Sequence, residues 1–249
     1  MTLIGKMNPA KDANISGKSQ DGIVSRFLNR PISGLITRVL LRFPITPNAW
    51  TISIFPLLIV AFLFLRQGDY AGVVIGCAIF QVYSILDGCD GEIARARSLV
   101  SKFGEKLDTL CDTIGSLLLV IGVGLGLRVP HPSSGWAYAV EGIFCAVLIA
   151  INELWLHHAR AAERSPATEV SAALYPRHQM LAHHSGLLVL GERNLWWLIQ
   201  FTKRDFAILL FLALAIAGFP QWILHLSLLV TAITLSLSVV AMLSSRARS

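Results

Sequence analysis

The chain predicts an all-α polytopic membrane protein, with six transmembrane helices and an N-terminal amphipathic helix at the membrane interface. Three features of its 249 residues point there. Near-continuous apolar runs cover Ala49–Leu65, Tyr70–Leu86, Leu107–Leu127, Trp136–Leu156, Phe206–Phe219 and Trp222–Leu243, and several approach the ~20 residues that a helical span needs. With six spans, nineteen of the 21 Lys and Arg residues fall on one side, and only Arg66 and Arg128 on the other. By the positive-inside rule both termini are then cytoplasmic. Residues 21–44 place Ile23, Val24, Phe27, Leu28, Ile32, Leu35, Ile36, Val39 and Leu40 on one helical face, with Arg26, Arg30, Arg38 and Arg42 elsewhere. That is the pattern of a helix resting on anionic headgroups. The competing reading, a soluble protein of buried core helices, explains neither the run lengths nor the charge sorting. The net charge of +6 follows from topology, and no other feature of the chain supports a nucleic-acid partner.

Each element has its own signals. Residues 1–20 are polar and read as a tail without a signal peptide, and residues 21–249 as one membrane domain. The turn Ile45–Thr51 offers Thr46 or Asn48 to cap the first span. Gln67-Gly68-Asp69 makes a short outer turn into the second span, which continues past the membrane to about Arg97. Ser98–Lys102 turns the chain, and the third span starts near Gly104. Arg128–Gly135, with Pro130 and Pro132, is an outer loop. The fourth span ends inside at Glu153-Leu154-Trp155-Leu156-His157-His158. Residues 157–205 form one long polar connection with five His residues, whose spacing matches no HExxH site. Trp196 and Trp197 precede the fifth span, where indoles favour the interface, and Gly218–Gln221 divides the last two spans. The four cysteines, Cys77, Cys89, Cys111 and Cys145, lie in or beside spans and form no CxxC pair, so disulfides are not expected.

The chemistry concentrates between Ser84 and Ser116. Four carboxylates, Asp87, Asp90, Asp108 and Asp112, stand at the ends of two apolar runs, where an ionisable group costs up to roughly 2.5–3.5 kcal/mol. At about 100° per residue, Asp87, Asp90, Gly91, Ala94 and Arg95 share an arc of roughly 140°, and Gly104, Asp108 and Asp112 one of roughly 80° on the next helix. Facing each other, the two arcs would gather four acids and one Arg around one cavity. Carboxylates that close repel unless a cation lies between them, and an all-oxygen set favours Mg²⁺, Mn²⁺ or Ca²⁺ over zinc. The expectation is a two-metal site. Cys89 and Cys111 point off these arcs and read as packing residues.

The run D-G-C-D-G-E-I-A-R, eight residues, then G-E-K-L-D-T-L-C-D resembles the signature of the CDP-alcohol phosphotransferase family. All eight fixed positions match: Asp87, Asp90, Gly91, Ala94, Arg95, Gly104, Asp108 and Asp112. The resemblance implies two divalent ions, Mg²⁺ or Mn²⁺, held by the four Asp residues, with Asp112 also taking the proton from the acceptor hydroxyl. It implies that Arg95 pairs with the donor pyrophosphate, and that Gly88, Gly91, Ala94 and Gly104 leave room for the nucleotide. It places Asn48, Thr51 and Ser101 near the donor. The partners it implies are a CDP-alcohol donor, a hydroxyl acceptor, membrane lipid and a second copy in a homodimer. The location it implies is the cell (inner) membrane, with the active site facing the cytoplasm.

The stretch from Asp21 through Thr51 is similar to the entry into the membrane domain of inositol-phosphodiester synthases. That similarity implies a polyol phosphate acceptor, for which Lys203 and Arg204 are candidate ligands, with Arg160, Arg164 and Arg193 behind them. A phospholipid synthase using CDP-diacylglycerol is the alternative. A transporter is the alternative of another class, but the acids form one cluster at one side, and the other four spans carry few charges apart from Glu141 and Glu153.

Overall fold

A computed structural model describes residues 22–130, 135–162 and 203–246, and every regular element among them is helical. A π-helical turn, Ser25–Asn29, leads without a break into α1 (Arg30–Leu40). There follow α2 (Pro47–Ile54), α3 (Pro56–Leu65), α4 (Tyr70–Ala96), α5 (Lys102–Arg128), α6 (Trp136–Ala162), α7 (Arg204–Ile216) and α8 (Gln221–Arg246). Four segments are long and apolar enough to cross a membrane: Pro47–Leu65, Tyr70–Ala96, Lys102–Arg128 and Trp136–Leu154. The first is α2 and α3 together, interrupted at Pro56, which has no N–H to continue the ladder. At 13 residues, α7 reaches about 20 Å against a hydrocarbon core of ~30 Å. In α8 the apolar stretch is Gln221–Ser236.

Side chains cap the helices that begin in turns. Thr46 accepts from the Ala49 amide at the start of α2, and Asp69 from Gly72 at the start of α4. Ser101 accepts from Gly104 at the start of α5. Each cap satisfies an N–H that the helix leaves without a partner.

The two acid-bearing helices, α4 and α5, are not closely packed on one another. Both lie against α2 and α3, α6 packs on α5 and α8, and α7 and α1 pack on α4. In the apolar half the fit is close. Leu58, Ala61 and Leu65 of α3 are fully buried among Phe80 of α4 and Leu119, Val120 and Val123 of α5. Gly68 sits in the left-handed region at φ 77°, and a Cβ there would come within 2.0 Å of the Gly126 carbonyl oxygen. The α3–α4 turn is thus seated directly on the α5 backbone, which only glycine permits. Gly124 of α5 and Gly142 of α6 allow a similar approach, with a Cβ on Gly124 only 2.7 Å from the Tyr138 carbonyl oxygen. Small residues at such crossings let membrane helices gain dispersion energy where lipid gives no hydrophobic drive between them. All four cysteines are free and buried.

The N-terminal helix is oriented unlike a helix of a soluble protein. Its buried stripe is polar: Ser25, Asn29, Ser33 and Thr37, spaced four residues apart. Phe27, Ile32, Leu35 and Val39 face outward, with Phe27 75% and Leu35 61% exposed, while Val24 is buried. Arg26, Arg38 and Arg42 are exposed, as expected for headgroup contacts, whereas Arg30 turns inward.

Candidate active site

The second half of α4 is gripped from two sides. From α2, Trp50 Nε1 donates to the Leu86 carbonyl at 2.9 Å, and Thr51 Oγ1 donates to Asp90 Oδ2 at 2.7 Å. From α1, Ser33 Oγ and Thr37 Oγ1 each donate to a different oxygen of Glu92 at 2.7 Å. Arg30 Nη1 pairs with the same carboxylate at 3.1 Å and reaches the Gly88 carbonyl at 3.3 Å. Higher up, Asn29 Nδ2 donates to Ser84 Oγ at 3.3 Å and accepts from Gln81 Nε2 at 3.0 Å. Arg97, just past α4, donates to the carbonyls of Leu41, Phe43 and Ile45 and fixes the α1–α2 connection.

Between these grips a cavity of about 260 Å³ opens beside the acids. Asp87, Asp90 and Asp108 bring one carboxylate oxygen each within 4.8 Å of one another. Asp112, one turn beyond Asp108, pairs with Arg204 from the start of α7, and the same guanidinium lies 3.7 Å from Asp87 Oδ2. Asp87 Oδ1 and Asp112 Oδ1 are buried and have no hydrogen-bond partner among the described residues. A hard divalent cation suits this donor set: carboxylate oxygens only, one from each of three Asp residues converging, with buried oxygens of Asp87 and Asp112 lacking a donor.

The expected site residues separate into two groups. Asp87, Gly88, Asp90, Gly91, Arg95, Asp108, Asp112 and Arg204 all line the cavity. Ala94, Gly104, Asn48, Thr51, Ser101 and Lys203 do not, and most of these have a visible local task. Thr51 holds Asp90, and Ser101 caps α5. The Asn48 amide oxygen lies where a Cβ on Gly104 would meet it at 3.0 Å, so Gly104 lets α2 approach α5 rather than widening the cavity. Lys203 is the residue before α7. Cys89 approaches the Ser33 carbonyl, away from the acids. Residues 163–202, with Arg164 and Arg193, and the side chain of Arg160 lie outside the described residues.

The residues that sequence reasoning missed are Ser25, Asn29, Arg30, Ser33, Ser84, Glu92 and Asp205. All but Glu92 line the cavity. Glu92 was visible as a carboxylate between motif positions, and the four-residue spacing of Ser25, Asn29, Ser33 and Thr37 was also present. The apolar face of the same helix drew the reading instead.

The model of the CDP-alcohol phosphatidyltransferase family matches residues 44–233, which include every motif position. The chain belongs to this family. Among curated members, the bifunctional IPC transferase and DIPP synthase of Archaeoglobus fulgidus is 29% identical over 226 residues, 91% of this chain and 39% of that protein. Its counterpart in Thermococcus kodakarensis is 40% identical over 104 residues, 41% of this chain and 23% of that protein. The archaetidylinositol phosphate synthase of Pyrococcus horikoshii is 34% identical over 93 residues, 36% of this chain and 47% of that protein. The chain therefore spans about two fifths of the length of the Archaeoglobus relative. The crystal structure of apo phosphatidylinositol phosphate synthase (PgsA1) of Mycobacterium tuberculosis superposes with a TM-score of 0.51 at 18% identity, covering 82% of this chain and 94% of that one. The same enzyme in complex with manganese and citrate gives the same score. At that identity the likeness shows a shared fold and nothing more.

Proposed function

We propose that the chain is an integral membrane transferase that moves a phospho-alcohol group from a CDP-alcohol to an acceptor hydroxyl and releases CMP. The observation that carries this reading is the convergence of Asp87, Asp90 and Asp108 beside Asp112 in a polar cavity, within a family of CDP-alcohol transferases. The four Asp residues would hold two divalent ions, Mg²⁺ or Mn²⁺, which neutralise the pyrophosphate and stabilise attacking and leaving oxygens. Arg95 lines the same cavity and binds the pyrophosphate through its planar fork. Asp112 accepts the proton of the attacking hydroxyl, whose oxygen bonds to the phosphorus bearing the donor alcohol as the bond to CMP breaks. Thr51 fixes the Asp90 carboxylate in the rotamer seen here.

The acceptor in this reading is an inositol or other polyol phosphate, and Arg204 is its cation. The relatives named for inositol-containing products support it. So does the lining: among the described residues every side chain facing the cavity is polar or charged, or the residue is glycine. The membrane arrangement belongs to the same proposal: residues 21–249 as one domain with six spans, α1 in the interface with Phe27, Leu35 and Val39 in lipid, and the acids facing the cytoplasm of the cell (inner) membrane. The protein acts as a homodimer in this reading. The test is purified protein in detergent, offered a panel of CDP-alcohols and acceptors. CMP release that requires a divalent metal and a CDP-polyol supports the proposal. Turnover of CDP-diacylglycerol alone redirects it to phospholipid synthesis, and no CMP release from any donor removes it.

A further inference from the structure

Glu92 is buried to 0% exposure in the middle of the catalytic motif, yet it touches none of the acids' cavity. A carboxylate taken so far from water is tolerated only where its charge and lone pairs are matched. Here all the matching comes from one other element. Ser33 and Thr37, also at 0% exposure, supply one hydroxyl to each oxygen, and Arg30 supplies the counter-charge. The three partners lie at four- and three-residue spacings on α1, so a single helix face is committed to a single carboxylate. That face includes Ser33 and Arg30 and continues into Asn29 and Ser25, and these four line the same cavity as the acids. The acid-bearing turn of α4 also has a hold of its own on α2, through Thr51 to Asp90 and Trp50 to the Leu86 carbonyl, beside the Arg30 contact to the Gly88 carbonyl.

We propose that Glu92 is a positioning residue of the transferase: it latches α1 onto α4 and thereby sets the substrate-contacting wall at a fixed distance from the acids. This rests on the transferase reading of the cavity. Glu92 touches neither substrate nor metal, and acts through Arg30, Ser33 and Thr37. Without the latch, the wall loses its register, while Asp90 keeps its Thr51 hydrogen bond. The loss therefore falls on substrate binding more than on the chemical step.

The experiment compares full-length wild type, Glu92→Gln, Glu92→Ala and the double variant Ser33→Ala/Thr37→Val in detergent. Amide hydrogen exchange over residues 30–40 reports docking of α1 without reference to activity. Donor and acceptor KM, kcat and the metal concentration for half-activation report the site. In Glu92→Ala, exchange over 30–40 rises at least tenfold, KM rises at least tenfold for one substrate, kcat falls less than threefold and metal activation is unchanged. Glu92→Gln, which keeps an acceptor oxygen and the shape, recovers most of both losses. The double variant keeps the Arg30 pair and shows the same split at smaller size, so the test survives if Glu92→Ala fails to fold. Increased exchange with unchanged KM, or a fall in kcat and metal activation with exchange unaltered, overturns the proposal. Wild type that releases no CMP from any donor, while the exchange differences persist, overturns the transferase reading and leaves the latch as a structural contact.

Discussion

The two halves of α4 are held by opposite means. From Gly72 to Phe80 the helix is gripped by shape: Leu65 lies against Gly76, Leu58 reaches between Phe80 and Gly115, and the surrounding side chains are hydrocarbon. From Ser84 to Glu92 it is gripped by hydrogen bonds and charge, from Thr51, Trp50, Asn29, Ser33, Thr37 and Arg30. Shape alone suffices where nothing needs to move or react. Where carboxylates must converge, directional contacts fix their rotamers, and these hold because the alternative is an unsatisfied buried group. The same 27-residue helix is thus scaffold at one end and site at the other.

If that division is right, changes in the polar half remove activity and spare the fold. The largest effect belongs to Asp112→Asn. Loss of a positioned base costs about 10²–10⁴-fold in rate, and loss of a carboxylate from the metal-holding set adds to it. Turnover should fall by at least 10³-fold, while donor affinity, read by equilibrium binding of a CDP-alcohol, changes far less. Turnover within tenfold of wild type would remove Asp112 from the chemistry.

In the apolar half the expectation reverses. Gly124→Val puts branched carbons against the Tyr138 carbonyl, already within 2.7 Å of the first Cβ, and overpacking of this kind costs about 1–3 kcal/mol or more. The yield of folded protein and the Tm in detergent should both drop. The fraction that folds should keep a kcat within a few-fold of wild type. A correctly folded variant with unaltered Tm would show that the α5–α6 contact is looser than described.

This division also marks what the sequence could and could not disclose. The scaffold half was legible as apolar helices because hydropathy reports them directly, though not the glycine crossings that seat them, and the acids were legible because four Asp residues at fixed spacing have few other uses. On the α1 side the sequence disclosed one face and not the other. The expectation placed Ile32, Leu35 and Val39 on an outward apolar face, where they are exposed, and had no reading of Ser33 and Thr37, which are at 0% exposure. In water an apolar face marks the interior, but beside a membrane lipid can cover it and the interior contact can be polar. Thr51 was legible as a residue near the site and illegible as the partner of Asp90. Hydrogen-bond partners 39 residues apart leave no periodic trace.

Thr51→Val tests how much of the polar half's precision comes from α2. It removes the hydroxyl on Asp90 and keeps the volume. A hydrogen bond to a charged group is worth about 1.5–3 kcal/mol, so the metal concentration for half-activation should rise roughly ten- to hundredfold. Saturating metal should restore most of kcat, because the carboxylate remains. An unchanged metal requirement would mean that Asp90 keeps its rotamer without Thr51.

The smallest effect sharpens the boundary of the site at α7, where two adjacent cations have different positions. Arg204 lies in the cavity, with its guanidinium between Asp112 and Asp87 and facing the Tyr83 ring at 5.7 Å. Lys203 precedes the helix as its N-cap and is absent from the cavity lining. Either was a candidate to hold the acceptor phosphate, and of the two only Arg204 lines the cavity. Replacing each alone by Gln distinguishes a ligand from a topology signal. Arg204→Gln should raise the acceptor KM by about tenfold or more, the value of one charge-assisted contact. The donor KM should move less, because Arg95 and the acids remain. Lys203→Gln should leave the acceptor KM within about twofold, since a half-buried charge outside the cavity lining makes no direct contact with a ligand held there. Both variants should still insert in the membrane with wild-type topology. A larger acceptor effect from Lys203 than from Arg204 would move the acceptor site out of the acid cavity and toward the preceding loop.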